Sequence, residues 1–242
     1  MKRIFWAIPF LLVAPSMFAA VTMELDLNAN GTTCTVQVLT GSVISTSGTC
    51  GNLDISVSGG DHGQLQVSTK TGLLFGGITF TDTSQGHEFV TVPQLQNQNQ
   101  TQASSASASG TFSSIFTDTD VPTVANSFGV TTTLNALTLG GTGDFFALNS
   151  NTNGIPATSL ISSKLGQAGP STSTFTTAAN PSPGTPYSLT TQIVIHFAKK
   201  NQAVTSSQQI AAVNVPEPAS IMLMGSMLLL TGLGLRRKMT RG

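Results

Sequence analysis

Charge is scarce in this chain. Of its 242 residues, 8% are Asp, Glu, Lys or Arg, against roughly 25% in an average soluble protein. What charge exists is unevenly placed. Lys2, Arg3, Arg236, Arg237, Lys238 and Arg241 sit at the two ends, so Val21 to Glu217 holds four lysines, no arginine and all ten acids, a net charge of −6. A surface that releases counterions from a phosphate backbone needs clustered Lys and Arg, so no nucleic-acid partner is expected. Glu, Lys and Arg also sustain solvent-facing helices, and their scarcity excludes long exposed ones. Trp6 and Tyr187 are the single Trp and Tyr, which argues against a sugar site built on broad aromatic platforms. Two cysteines and three histidines give no zinc-ligand spacing, and no cofactor is expected.

Hydroxyls and glycine fill the space that charge leaves. Ser and Thr supply 27 and 35 residues, and Gly 24. Thr and Val favour strands, while Gly, Asn and Ser favour turns. In "VTMELDLN", Val21, Met23, Leu25 and Leu27 alternate with polar residues, the period of a half-buried strand. "YSLTTQIVIHF" repeats the pattern, with Tyr187, Leu189, Ile193, Ile195 and Phe197 on one face. Short strands between Gly, Asn and Asp turns predict an all-β fold, a β-sandwich with Greek-key or jelly-roll-like connections, in one domain over 21–200. The low-complexity stretches at 94–110 and 167–186 read as surface loops. Residues 201–215 read as a stalk.

The two ends have opposite polarity. "MKRIFWAIPFLLVAPSMFAA" places Lys2 and Arg3 before an apolar run and ends in small residues, the layout of a secretory signal peptide cut near Ala20. At the other end, Ile221 to Leu235 is a run of 15 uncharged residues that meets Arg236, Arg237 and Lys238. As a helix it spans about 22 Å, short of the roughly 30 Å hydrocarbon core, and starting at Ala219 lengthens it slightly. The basic cluster acts as a membrane stop and stays cytoplasmic, leaving the body outside.

"VPEPAS", a Gly- and Leu-rich apolar segment and "LRRK", over residues 215 to 241, together resemble the PEP-CTERM sorting signal. The resemblance implies recognition by an exosortase, a membrane-embedded processing enzyme of bacteria that make exopolysaccharide. It makes Pro216, Glu217 and Pro218 the recognition motif within a sorting segment at 216–242. The two prolines hold Glu217 in extended backbone that joins neither a helix nor a central strand, a form that a processing enzyme can grip. The body is more loosely similar to small secreted β-proteins bearing this tail, through "FTDTD" and "PYSLT".

Cys34 and Cys50 read as a disulfide in an exported chain, with two buried free thiols as the alternative. "DLNANG" matches the start of an EF-hand loop through Asp26, Asn28 and Asn30, but Gln37 stands where the bidentate Glu belongs. A hairpin turning at Asn30-Gly31 is the preferred reading. "GGTGD" (140–144) is a lone, shortened copy of a glycine-rich calcium repeat and reads as a turn. Asp118 and Asp120 share a strand face and, with Asp144, are candidate cation ligands, although a solvated strand end fits them better. His62 and His87 fall in turn-like contexts, and His196 points to solvent. No G-x-S-x-G, S-x-x-K or H-E-x-x-H motif occurs, so an enzyme is not expected. The resemblance of the tail, together with the low charge and the Ser- and Thr-rich composition, implies an exported structural protein of the envelope or matrix associated with exopolysaccharide. A carbohydrate-binding module is the alternative, and a hydrolase comes third.

Overall fold

A computed structural model describes residues 21–39, 43–60, 62–87, 95–106, 109–121, 127–136, 141–150, 153–168, 171–178 and 186–213. The expected signal peptide, the Pro216–Pro218 motif, the apolar run and the basic tail lie outside the described residues. Within them the chain forms fourteen strands and no helix: β1 (Val21–Ala29), β2 (Thr32–Leu39), β3 (Val43–Gly48), β4 (Leu53–Ser58), β5 (Gln64–Thr69), β6 (Ile78–Gln85), β7 (Leu95–Ser105), β8 (Gly110–Val121), β9 (Ser127–Ala136), β10 (Thr142–Ser150), β11 (Ser159–Ala168), β12 (Ser171–Ala178), β13 (Tyr187–Phe197) and β14 (Ala203–Val213).

The strands form two seven-stranded sheets, ordered β11-β10-β13-β8-β1-β2-β3 and β12-β9-β14-β7-β6-β5-β4. Packed face to face they make the expected two-sheet sandwich. The alternation in the sequence sets which side chains point inward. Met23, Leu25, Leu27 and Ala29 of β1 are buried, as are Cys34, Val36 and Val38 of β2. The β1–β2 hairpin turns at Asn30 and Gly31, with φ of 50° and 89°. Two successive positive φ values are what a type I′ turn requires, and Asn-Gly supplies them most readily.

Apolar side chains fill the interior in two groups. The larger gathers Met23, Leu27, Val36, Phe80, Phe112 and Ile195 among others. Phe80 and Phe112 meet across the sheets with ring centroids 4.7 Å apart. The smaller group holds Val121, Phe128, Val130, Ala147, Tyr187, Leu189 and Ile210. Between the groups lies a polar belt that the sequence did not announce. Two cross-strand rows on the inner face of the second sheet are hydrophilic: Asp82–Thr101–Ser206, and Ser84–Asn99–Gln208–Thr132. All seven side chains are buried. Hydrogen bonds knit most of them, with Thr101 Oγ1 donating to Asp82 Oδ2 (2.6 Å), Ser84 Oγ to Asp82 Oδ1 (2.9 Å) and Asn99 Nδ2 to Ser114 Oγ on the facing sheet (2.8 Å).

Three expectations need correction. Residues 203–213, read as a stalk, form β14, which pairs with both β7 and β9. The domain therefore extends past residue 200 to Val213. Its Val204 and Ile210 are buried, and Ser206 and Gln208 between them belong to the polar belt, so the usual apolar alternation is interrupted. The stretch 94–110 contributes β7, and 167–186 contributes β12. In β7 the inward positions are Asn97, Asn99 and Thr101, which on sequence look like solvent-facing residues.

Candidate functional site

Three chain segments meet at one end of the sandwich. β8 presents Phe112, Ser114, Phe116 and Asp118 to the interior in alternate positions. Asp118 ends this row. From the second sheet, the turn before β5 carries His62, and His87 follows β6 by one residue beyond Gly86. The β5–β6 register pairs Gln64 with Gln85. Carried two residues further it sets Gly63 against Gly86 and His62 against His87, and the Gly86 N–H donates to the Gly63 carbonyl at 2.8 Å.

Both rings turn onto one carboxylate. His62 Nδ1 lies 2.8 Å from Asp118 Oδ1, and His87 Nδ1 lies 2.9 Å from Oδ2. The His87 backbone N–H adds a third bond to Oδ2 at 2.8 Å. A carboxylate only accepts hydrogen bonds, so each ring donates through Nδ1–H. The ring centroids are 4.2 Å apart and tilted by 40°. The Asp118 side chain is fully buried, and the two imidazoles are 11% and 15% exposed. Among the described residues no Lys or Arg pairs with Asp118. Gly86 is required by space: a Cβ there would stand 2.6 Å from the His62 carbonyl oxygen and 3.1 Å from Asp118 Oδ1.

The three acids of the sequence reading do not converge. Asp118 is buried with the histidines rather than solvated. Asp120 adopts a φ of 54°, which breaks the alternation that would have put it on Asp118's face. It pairs with Asn153, whose Oδ1 accepts from the Asp120 N–H and whose Nδ2 donates to Asp120 Oδ1, both at 2.8 Å. Asp144 on β10 bonds His196 on β13, Oδ2 to Nε2, at 2.9 Å. Burial works to raise the Asp144 carboxyl, but the Gly166 N–H and His196 outweigh it and hold it below the usual range. His196 is 44% exposed, facing outward as its register dictates.

Asp26, Asn28 and Asn30 each have other partners. Asp26 Oδ1 accepts from Thr35 Oγ1 across the hairpin, and Asn28 Oδ1 accepts from the Gly31 N–H. Asn30 Nδ2 donates to the Gly76 carbonyl at 2.7 Å, and its Oδ1 accepts from the Thr111 N–H. Asn30 therefore stitches the hairpin tip to neighbouring segments rather than completing a calcium loop. Cys34 and Cys50 are joined as a disulfide. It ties β2 to the segment between β3 and β4, where the chain passes from one sheet to the other.

Among the described residues His62, His87 and Asp118 form the one cluster of potential metal ligands, with their ligand atoms within 4.8 Å of each other. Motif spacing could not find them, because 25 and 31 residues separate neighbours in sequence. The signal was the hairpin register, which equates positions 62 and 87.

No curated protein matches this chain. A solved structure from a study of promiscuous specificity in carbohydrate-binding modules of the β-sandwich superfamily is 7% identical, with 82% of this chain and 86% of that chain covered. Its TM-score of 0.30 is too low to inform the fold or the site. Residues 214–238 match the family model of the PEP-CTERM protein-sorting motif, and with Pro216-Glu217-Pro218, an apolar run and a basic stop inside that span, the chain carries this sorting signal.

Proposed function

We propose that the protein is exported, processed by an exosortase and held at the cell envelope or in the extracellular matrix, where its β-sandwich serves a structural role in association with exopolysaccharide. The sorting signal at 214–238 carries this reading. A leading Lys2-Arg3 and apolar run support export. The low charge and the Ser- and Thr-rich strands suit a hydrated polysaccharide matrix, where hydroxyls exchange hydrogen bonds freely. A role as a sugar-binding module is less well supported. Among the described residues the most exposed large apolar side chains are Leu73, Leu74, Leu160 and Leu165, and Tyr187 is buried, so neither Trp nor Tyr supplies a platform for a sugar face there.

Mass spectrometry of the chain recovered from an exosortase-bearing host tests the proposal. The expected product starts near Val21, ends close to the Pro-Glu-Pro motif and fractionates with envelope or matrix. In a host lacking the exosortase the same chain should keep its tail and stay with the membrane. An untrimmed chain, soluble in the cytoplasm of the competent host, would refute it.

A further inference from the structure

The His62–His87–Asp118 cluster lies outside the sorting match at 214–238, and its construction calls for an explanation of its own. A fully buried carboxylate is expensive unless a positive group compensates it. Among the described residues no Lys or Arg does so, and two imidazoles from separate loops are spent on a single acid. Their two ring-to-carboxylate contacts are also held from behind: the His87 N–H fixes Oδ2, the Gly86–Gly63 bond locks the two loops together, and Gly86 leaves no room for a side chain.

We propose that these three side chains bind one divalent transition-metal cation of the zinc class. Imidazole nitrogen suits zinc, copper and nickel, whereas calcium and magnesium demand oxygen. Two nitrogens and one carboxylate oxygen are the set that zinc accepts, with a fourth position for water or another donor. The spacing is close to what the ion needs. Donor atoms around a tetrahedral zinc, with bonds of about 2.0–2.2 Å, stand about 3.3 Å apart. The Nδ1 atoms of His62 and His87 stand 2.8 and 2.9 Å from different oxygens of Asp118, and the three ligand atoms lie within 4.8 Å of one another, so seating the ion requires the carboxylate to turn one oxygen toward both rings and the wider pair of ligand atoms to close in. On binding, each ring's proton moves from Nδ1 to Nε2, so both imidazoles ligate as neutral groups. The cation replaces two N–H bridges, compensates the buried Asp118 charge and clamps both loops of the second sheet to β8 of the first. Its role is to lock one end of the sandwich.

Zinc titration of the EDTA-stripped full chain against a competing chromophoric chelator tests this. One Zn2+ per chain should bind at micromolar affinity or tighter, ahead of Mn2+ and Ca2+, and Tm should rise on its addition. His62→Gln and His87→Gln keep an amide N–H for Asp118 but remove the ring ligand. Each should weaken zinc by more than about 100-fold, beyond the loss attached to outer-shell partners. His196→Gln, in the separate pair with Asp144, should leave affinity unchanged. A folded wild type that binds no zinc, calcium taken in preference to zinc, or zinc retained in either His→Gln variant overturns the proposal. If those variants fail to fold, X-ray absorption of the zinc-loaded wild type decides: two imidazole nitrogens in the inner shell support it, and an all-oxygen shell overturns it.

Discussion

His87 grips Asp118 twice: its backbone N–H donates to Oδ2 at 2.8 Å, and its ring Nδ1 stands 2.9 Å from the same atom. Ring and main chain of one residue thus converge on one oxygen, leaving Oδ1 to His62. The double contact fixes where the β6 exit crosses the end of β8, and it works only because Gly86 lets the chain approach so closely.

Gly86→Ala should therefore be destabilising. The added Cβ meets a backbone carbonyl, which cannot rotate away as a side chain can. Overpacking of this kind costs about 1–3 kcal/mol, and at roughly 2–4 °C per kcal/mol for a domain of this size the melting temperature should fall by several degrees. Circular dichroism melts will check this, and an unchanged Tm would show that the loops yield freely.

Asp82 is fully buried, and burial raises its carboxyl above the ordinary carboxylate range despite the opposing hydrogen bonds from Thr101, Ser114 and Ser84. The native state therefore holds the proton more tightly than the unfolded chain, whose value is about 3.9. The resulting stabilisation is complete below that value and is lost as pH rises through the higher native one. Asp82→Asn cannot ionise, and its amide still offers an acceptor and a donor to the Ser84 and Thr101 hydroxyls. It should match the wild type near pH 3 and melt at a higher temperature at pH 8. An equal offset at both pH values would reject the titration of Asp82 as the cause.

The Cys34–Cys50 bridge closes a loop across 16 positions. For a loop of about this length the restriction of the unfolded chain is worth about 3 kcal/mol. Replacing both cysteines with serine, or adding reductant, should lower Tm by roughly 6–12 °C. Thiol labelling before and after reduction gives the matching chemical readout, and equal labelling in both would disprove the bridge.

Gln208 is buried in the polar belt, and among the described residues neither of its side-chain amide atoms has a hydrogen-bond partner. Leaving such a group desolvated costs about 1–3 kcal/mol. Gln208→Met, similar in volume and without the amide, should raise Tm by a few degrees in thermal melts. A fall would reveal an ordered water bonded to that amide.

The sandwich was legible where local pattern and burial agreed. β1, β2 and β13 alternate cleanly, and Asn30-Gly31 announces its turn. The misread segments fail for one shared reason. In β7 and β14 the inward positions include Asn97, Asn99, Ser206 and Gln208, so hydropathy reports a solvated loop or stalk although the backbone is ladder-paired on both sides. Asn97 and Asn99 are compensated by hydrogen bonds to the facing sheet and Ser206 by one to the Thr101 carbonyl, and such partners are a tertiary fact invisible to a local window. The histidine–aspartate cluster was hidden differently. Its members are ordinary turn and strand residues until the hairpin register brings 62 opposite 87, and Asp118 comes from the other sheet.

β14 ends at Val213, one residue before the sorting match begins, and it lies between two antiparallel neighbours rather than at an edge. From Val213 to Pro216 an extended chain reaches about 10 Å. Any tug transmitted through a C-terminal tether thus enters the middle of a sheet along the strand's own axis, perpendicular to its ladder bonds. Those bonds on both flanks would be loaded in shear and resist together instead of unzipping one after another.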